Sequence, residues 1–235
     1  MFGYGYGYYW DPTYVLVLIG AIISMIASAR VQSTFNKYNN ICSASGLTGK
    51  EAAEKILKAA GLSSIRVEHV SGSLSDHYDP GKKVLRLSDD TYSSNSVAAI
   101  GVAAHECGHA IQDKEEYKPL VLRSTLVPAA NIGSKMGMPL IILGVILSYN
   151  YALIQVGIWV FSLAVLFQLV TLPVEFNASS RALQIVGDQG ILGTHEVKDC
   201  KKVLDAAAMT YVAAAAASIL SLIRLVILFG GRRDD

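Results

Sequence analysis

The stretch MGMPLIILGVILSYNYALIQVGIWVFSLAVLFQLVTLPV, residues 136–174, holds no Asp, Glu, Lys or Arg. Read as a helix it would be about 58 Å long. The hydrocarbon core of a bilayer is about 30 Å thick, so this is two spans rather than one. The polar break Ser148-Tyr149-Asn150-Tyr151 is the reversal, and its two tyrosines suit an interface. Working outward, windows 12–29 and 206–223 are also free of charge and read as one span each. The last is weakly apolar, because residues 213–217 are all Ala, and Arg224 near its end either snorkels or faces the bundle interior. The expected fold class is α+β and predominantly helical: about four transmembrane helices with a charged insert of helices and a small sheet.

Composition agrees. The chain has 235 residues, 52% apolar and only 17% charged, against about 25% charged in an ordinary soluble domain. That much apolar surface excludes disorder. A net charge of +1 with no dense basic stripe argues against nucleic acid as a partner. Cys42, Cys107 and Cys200 are odd in number and form no paired motif, which argues against a disulfide scaffold.

Charge is unevenly placed: residues 30–128 hold 23 of the 39 charged side chains. The organisation that follows is an aromatic N-terminus and first span (1–29), a cytoplasmic segment (30–128), a transmembrane hairpin (129–174), a second cytoplasmic segment (175–205) and a fourth span with a short tail (206–235). Lys and Arg set the orientation. Residues 1–13 carry none, while Arg30, Lys37, Lys50, Lys114, Lys118, Arg123 and Lys135 lie between the first two spans. Arg181, Lys198, Lys201 and Lys202 follow the third. The expectation is a multi-pass protein of the cell membrane with 30–128 and 175–205 in the cytoplasm. Arg232 and Arg233 on an outside tail run mildly against the rule. Ala27-Ser28-Ala29 resembles a signal-peptidase site, but the basic n-region is missing, so the first window reads as an uncleaved anchor. The run MFGYGYGYYW, residues 1–10, reads as an interfacial aromatic belt.

In the charged segment, Thr48-Gly49-Lys50-Glu51 is a capping box opening a helix over 49–60. Ala53, Ile56, Leu57 and Ala60 share its apolar face. Residues 64–70 and 84–87 read as strands, separated by the turn signal Asp79-Pro80-Gly81. A longer helix is predicted from Asn95 or Ser96 to about Asp113.

That helix carries His105-Glu106-Cys107-Gly108-His109, an H-E-x-x-H pattern. Two histidines four apart leave a helix on one face, one turn apart, so both imidazoles can reach one zinc ion. Glu106 sits at the edge of that face, placed to act on a water as general base without being a ligand. Cys107 points the other way and reads as a packing residue. A catalytic zinc usually takes three protein ligands. The downstream candidates are Glu175, Asp188, His195, Glu196 and Asp199. Glu175 lies two spans beyond His109, so it returns to the same side of the bilayer, at the end of the longest uncharged window. Pro173 before it suits a helix break or a kink. His195 and Glu196 otherwise read as a solvated first turn.

The stretches around His105–His109 and Leu172-Pro173-Val174-Glu175-Phe176-Asn177-Ala178-Ser179, with Asp11-Pro12-Thr13-Tyr14, Ser75-Asp76-His77-Tyr78-Asp79-Pro80 and Val84-Leu85-Arg86-Leu87-Ser88, resemble the YugP-type membrane zinc metallopeptidases over nearly the whole chain. The resemblance implies a peptidase with Glu175 as the third zinc ligand beside His105 and His109; the expectation that follows is one Zn²⁺, Glu106 as the catalytic residue and a peptide or membrane-protein substrate, which the resemblance itself does not specify. A more distant likeness to integral-membrane gluzincins places Ser179 where those chains have an Asp that buttresses a zinc ligand, so the support around the site must differ here. For the second oxyanion donor Tyr211, Arg181, His69 and His77 are all candidates. The strand 84–88 is a candidate edge for pairing with an extended substrate. Three further readings compete: a site-2-type intramembrane protease, which lacks its later Leu-Asp-Gly here; a non-catalytic zinc-binding scaffold with a fourth ligand such as His69, His77 or His195; and a transporter using Arg224.

Overall fold

The computed structural model describes residues 11–231. The expected aromatic belt at residues 1–10 and the pair Arg232 and Arg233 lie outside the described residues. Four helices are long and apolar enough to cross a membrane: α1 (Tyr14–Asn39), α5 (Lys118–Ile146), α6 (Tyr151–Asp188) and α7 (Thr194–Phe229). Between the first two lie α2 (Gly49–Ala59), β1 (Arg66–His69), β2 (His77–Asp79), β3 (Val84–Leu87), the short α3 (Asp89–Tyr92) and α4 (Val97–Lys114). The predominantly helical class with a small sheet is therefore observed.

The long helices pack in the order α1, α7, α6, α5, each mainly on its neighbours in that row. Their outer faces carry Leu18, Ile22, Met25, Ile142, Trp159 and Ile227, all exposed. So much exposed apolar surface is what a lipid-facing bundle presents. The α5–α6 hairpin closes at the predicted reversal. Ser148 and Tyr149 take positive φ, and the Asn150 side chain caps α6 by accepting from the Leu153 N–H at 3.1 Å. The helices meet closely: a Cβ on Gly157 would lie 2.6 Å from Ile141 Cγ1, and one on Gly137 2.8 Å from Phe161 Cβ. Arg224 is directed to the start of α1. Its Nη2 pairs with Asp11 Oδ2 at 3.0 Å, and its guanidinium lies 4.0 Å from the Tyr14 ring centroid, tying the start of α1 to the end of α7.

The predicted capping box of α2 forms both bonds: Thr48 Oγ1 accepts from the Glu51 N–H at 3.2 Å, and Glu51 Oε2 accepts from the Thr48 N–H at 2.9 Å. Its buried face holds Ala53, Ile56 and Leu57 as expected, with Ala52 added and Ala60 only partly buried. The sheet has the order β1-β3-β2, with β1 parallel and β2 antiparallel to β3. This corrects the reading of 84–88 as an edge for substrate: β3 is the central strand, paired on both sides, and the edge beside it is β2. Three consecutive polar residues, His77-Tyr78-Asp79, gave no strand signal. Pro173 likewise does not end its helix, since α6 continues through it to Asp188.

Candidate metal centre

α4 starts at Ser96, whose side chain accepts from the Ala99 N–H at 3.0 Å, and it carries His105, Glu106 and His109. Its buried side, including Cys107 and Ile100, packs into the core formed with α2, β3, α6 and α7. Cys107 is a packing residue here: it is fully buried, and that burial, with the nearby Glu106 charge, pushes its thiol far above the usual range. Such a thiol stays protonated and inert.

α6 crosses α4 at Gly108. A Cβ on Gly108 would lie 2.7 Å from the Ala178 carbonyl oxygen and 3.2 Å from its carbon. That close approach sets Glu175, one turn before Ala178, against the two imidazoles. Gly108→Ala should therefore destabilise the protein by about 1–3 kcal/mol through overpacking, more than the about 1 kcal/mol gained in helix propensity. It should also weaken metal binding. Thermal melts and zinc titration would check this against Gly187→Ala, whose Cβ would meet only Val197 Cγ2 at 3.8 Å and which should be neutral or mildly stabilising.

Glu175 Oε2 lies 3.3 Å from His105 Nε2 and 3.5 Å from His109 Nε2. One ligand atom from each of the three residues falls within 4.8 Å of the others. Glu175 is only 2% exposed, and its Oε2 is buried without a hydrogen-bond partner. The outer nitrogens are held elsewhere. His109 Nδ1 lies 3.0 Å from Gln112 Oε1, and the Gln112 amide donates to the Val174 carbonyl and to Asn177 Oδ1, both at 2.9 Å. Those two donations turn Gln112 Oε1 towards His109 as an acceptor, so the His109 proton sits on Nδ1 and Nε2 presents a lone pair. His105 Nδ1 lies 3.1 Å from Ser179 Oγ. Two imidazole nitrogens and a carboxylate oxygen converging in a buried space need a shared cation between them, either a proton or a metal ion. The donor set N, N, O is one that zinc takes in catalytic sites, so the residues fit the ion that the sequence implies.

The other oxygen of the same carboxylate, Glu175 Oε1, lies 3.4 Å from Arg123 Nη1 of α5. Glu106 Oε2 accepts the Tyr78 backbone N–H at 2.9 Å, a bond that leaves the sheet from β2. The Tyr78 hydroxyl donates to Asp113 at 2.7 Å, and its pKa is driven up by burial and by that carboxylate. A cavity of about 1000 Å³ opens beside Glu106, His109 and Glu175, between β2, the first turns of α5 and Tyr211 of α7.

The remaining third-ligand candidates lie elsewhere. Glu196 caps α7 and bonds the Ala44 N–H, and Asp199 pairs with Lys202. Asp188 and His195 do not join the cluster found among the described residues. Of the oxyanion candidates, Tyr211 and His77 line the cavity. Arg181 is turned to Asn177 and Glu115, and His69 to Asp89. Sequence reasoning missed Gln112, Asn177 and Arg123. Gln112 had a usable signal, since it lies three residues from His109 on the same helix face. Arg123, far from the motif in the chain, had none.

The family described as "Putative neutral zinc metallopeptidase" matches residues 13–230. The chain belongs to this family. It is also 47% identical over 223 residues, 94% of this chain and 99% of the relative, to the "Putative membrane protease YugP" of Bacillus subtilis (strain 168). No solved structure matches. The family match covers the four apolar helices and the His105, His109 and Glu175 cluster together.

Proposed function

We propose that the chain is a membrane-embedded, zinc-dependent endopeptidase acting on membrane or membrane-proximal proteins. In this reading His105, His109 and Glu175 hold one Zn²⁺ and Glu106 is the general base. The convergence of two imidazole nitrogens on the partnerless Glu175 Oε2 is the observation that carries it. Zinc in such a site supplies Lewis-acid polarisation of a carbonyl and makes water acidic near neutral pH. Glu106 borders the same cavity with its Oε2 steadied by the Tyr78 N–H, leaving Oε1 to take a proton from water and return it to the departing amine. Arg123 steadies Glu175 through Oε1, which leaves Oε2 for the metal. Tyr211 is the favoured donor to the developing oxyanion, because its hydroxyl-bearing side chain lines the same cavity as Glu106 and Glu175.

An extended peptide would lie along β2, the edge strand next to the cavity, rather than along β3. The distribution of Lys and Arg supports a cytoplasmic site. A non-catalytic zinc scaffold would need a fourth protein ligand, and no His, Cys or carboxylate joins the three among the described residues. Purified protein in detergent should contain stoichiometric zinc and cleave an unstructured reporter protein. Chelation should abolish cleavage and added zinc restore it. Bound zinc with no cleavage of any reporter or membrane substrate would favour the scaffold.

A further inference from the structure

A second cavity, of about 290 Å³, lies between α1 and α7, away from the metal centre. α1 lines it with Arg30, Ser33, Thr34 and Lys37, spaced i, i+3, i+4, i+7 on one helix face. α7 answers with Lys202, Asp205 and Met209 on a matching face. Three cations thus line the recess with one carboxylate, Asp205, which is paired with Lys201 at 2.5 Å, and Lys202 is itself paired with Asp199 at 2.8 Å, so Arg30 and Lys37 carry the unbalanced charge. Arg30 and Lys37 have no carboxylate partner among the described residues, and the Lys37 and Lys202 ammonium groups stand 5.3 and 5.6 Å from the buried Tyr38 ring centroid. Ser33 and Thr34 add two hydroxyl donors between the cations.

The level of this cavity matters as much as its charge. Arg30 directly follows the uncharged window 12–29, and Asp205 directly precedes 206–223, so the cavity lies at the edge of the hydrocarbon. Towards the bilayer, Met25 and Ile26 continue the α1 surface and are 69% and 61% exposed. A cationic, hydroxyl-lined recess above an exposed apolar helix face matches a phosphate with acyl chains attached to it. We infer that the α1–α7 groove is a binding site for the phosphate headgroup of an anionic glycerophospholipid. Arg30 and Lys37 neutralise the headgroup, Lys202 flanks it while paired with Asp199, Ser33 and Thr34 donate to its oxygens, and the acyl chains run down α1 past Ile26. A zwitterionic headgroup brings its own cation into a recess that already has three, and is disfavoured.

Native mass spectrometry of the full chain, released from detergent in the presence of phosphatidylglycerol or phosphatidylcholine, tests this. The wild type should retain phosphatidylglycerol in preference to phosphatidylcholine. Each charge removed among Arg30→Gln, Lys37→Gln and Lys202→Gln should weaken retention by roughly fivefold, while Lys118→Gln, at a distant membrane-surface position, should not. If the triple variant does not fold, as judged by its melting temperature in zwitterionic micelles, single Arg30→Gln on the exposed face of α1 serves instead. Equal retention of the two lipids, or unchanged retention in the charge variants, would overturn the proposal. Competition by glycerol phosphate as strong as by the intact lipid would also overturn it, assigning the recess to a soluble phosphate.

Discussion

Glu106→Gln should keep its zinc and lose hydrolysis by about 10²–10⁴-fold in kcat, the range expected when a positioned general base is removed. The substitution is nearly isosteric. The new amide oxygen can still accept the Tyr78 N–H that holds Glu106 at 2.9 Å, so the β2–α4 contact survives. The metal cluster is built from His105, His109 and Glu175 and does not include Glu106. Zinc content and melting temperature should therefore match the wild type while turnover collapses. A membrane proteome from cells carrying this variant should accumulate uncleaved substrates, which would identify the substrate class. Full turnover in the variant would remove Glu106 from the mechanism.

The second large effect is expected at Glu175→Ala, which should empty the metal centre. An outer partner of a zinc ligand is typically worth about 10–100-fold in affinity, and a ligand is worth more than its support. The change also leaves Arg123 beside two imidazoles with no intervening carboxylate, since its contact is with Glu175 Oε1. That removes the negative balance of the site, because Arg123 then offsets the Glu106 charge and little is left to attract a cation. Zinc measured by mass spectrometry of the purified variant should fall towards background, and turnover with it. Circular dichroism should remain helical, because the Gly108–Ala178 crossing that joins α4 to α6 does not involve the Glu175 side chain. Undiminished zinc would send the third-ligand role back to Asp188, His195 or Glu196.

The parts legible in sequence were those governed by short-range rules. The uncharged run 136–174 announced a hairpin because its length exceeds one bilayer crossing, and Ser148 and Tyr149 mark the turn with positive φ. The capping box at Thr48 and the cap at Ser96 could be read because each bond spans three residues. Of the proposed site, His105, Glu106 and His109 could be named because a helix fixes their spacing, whereas the count of spans put Glu175 on the same side together with Asp188, His195, Glu196 and Asp199, and the family resemblance chose among them. What was lost depends on long-range pairing. β2 has only three residues and no apolar alternation, so nothing local marks it. Placing β3 in the centre required knowing that β1, remote in sequence, adds in parallel. A hint was present, since Val84, Leu85 and Leu87 form a nearly continuous apolar run, as a strand buried on both faces requires. The absent Asp at position 179 suggested altered support for the ligands. Ser179 in fact takes one imidazole and Gln112 the other, so support is divided between two helices.

Glu175 belongs to α6, the same unbroken helix that rises from the hairpin tip at Tyr151, whereas both histidines belong to α4 outside the apolar spans. The centre is therefore indivisible. On the proposed ligand set, excising residues 30–128 would carry both imidazoles and leave the Glu175 carboxylate behind with α6, and excising the spans would do the reverse. Zinc occupancy can report on whether the anchored and the water-facing halves of the chain have been assembled, because only the assembled molecule has a complete set of donors.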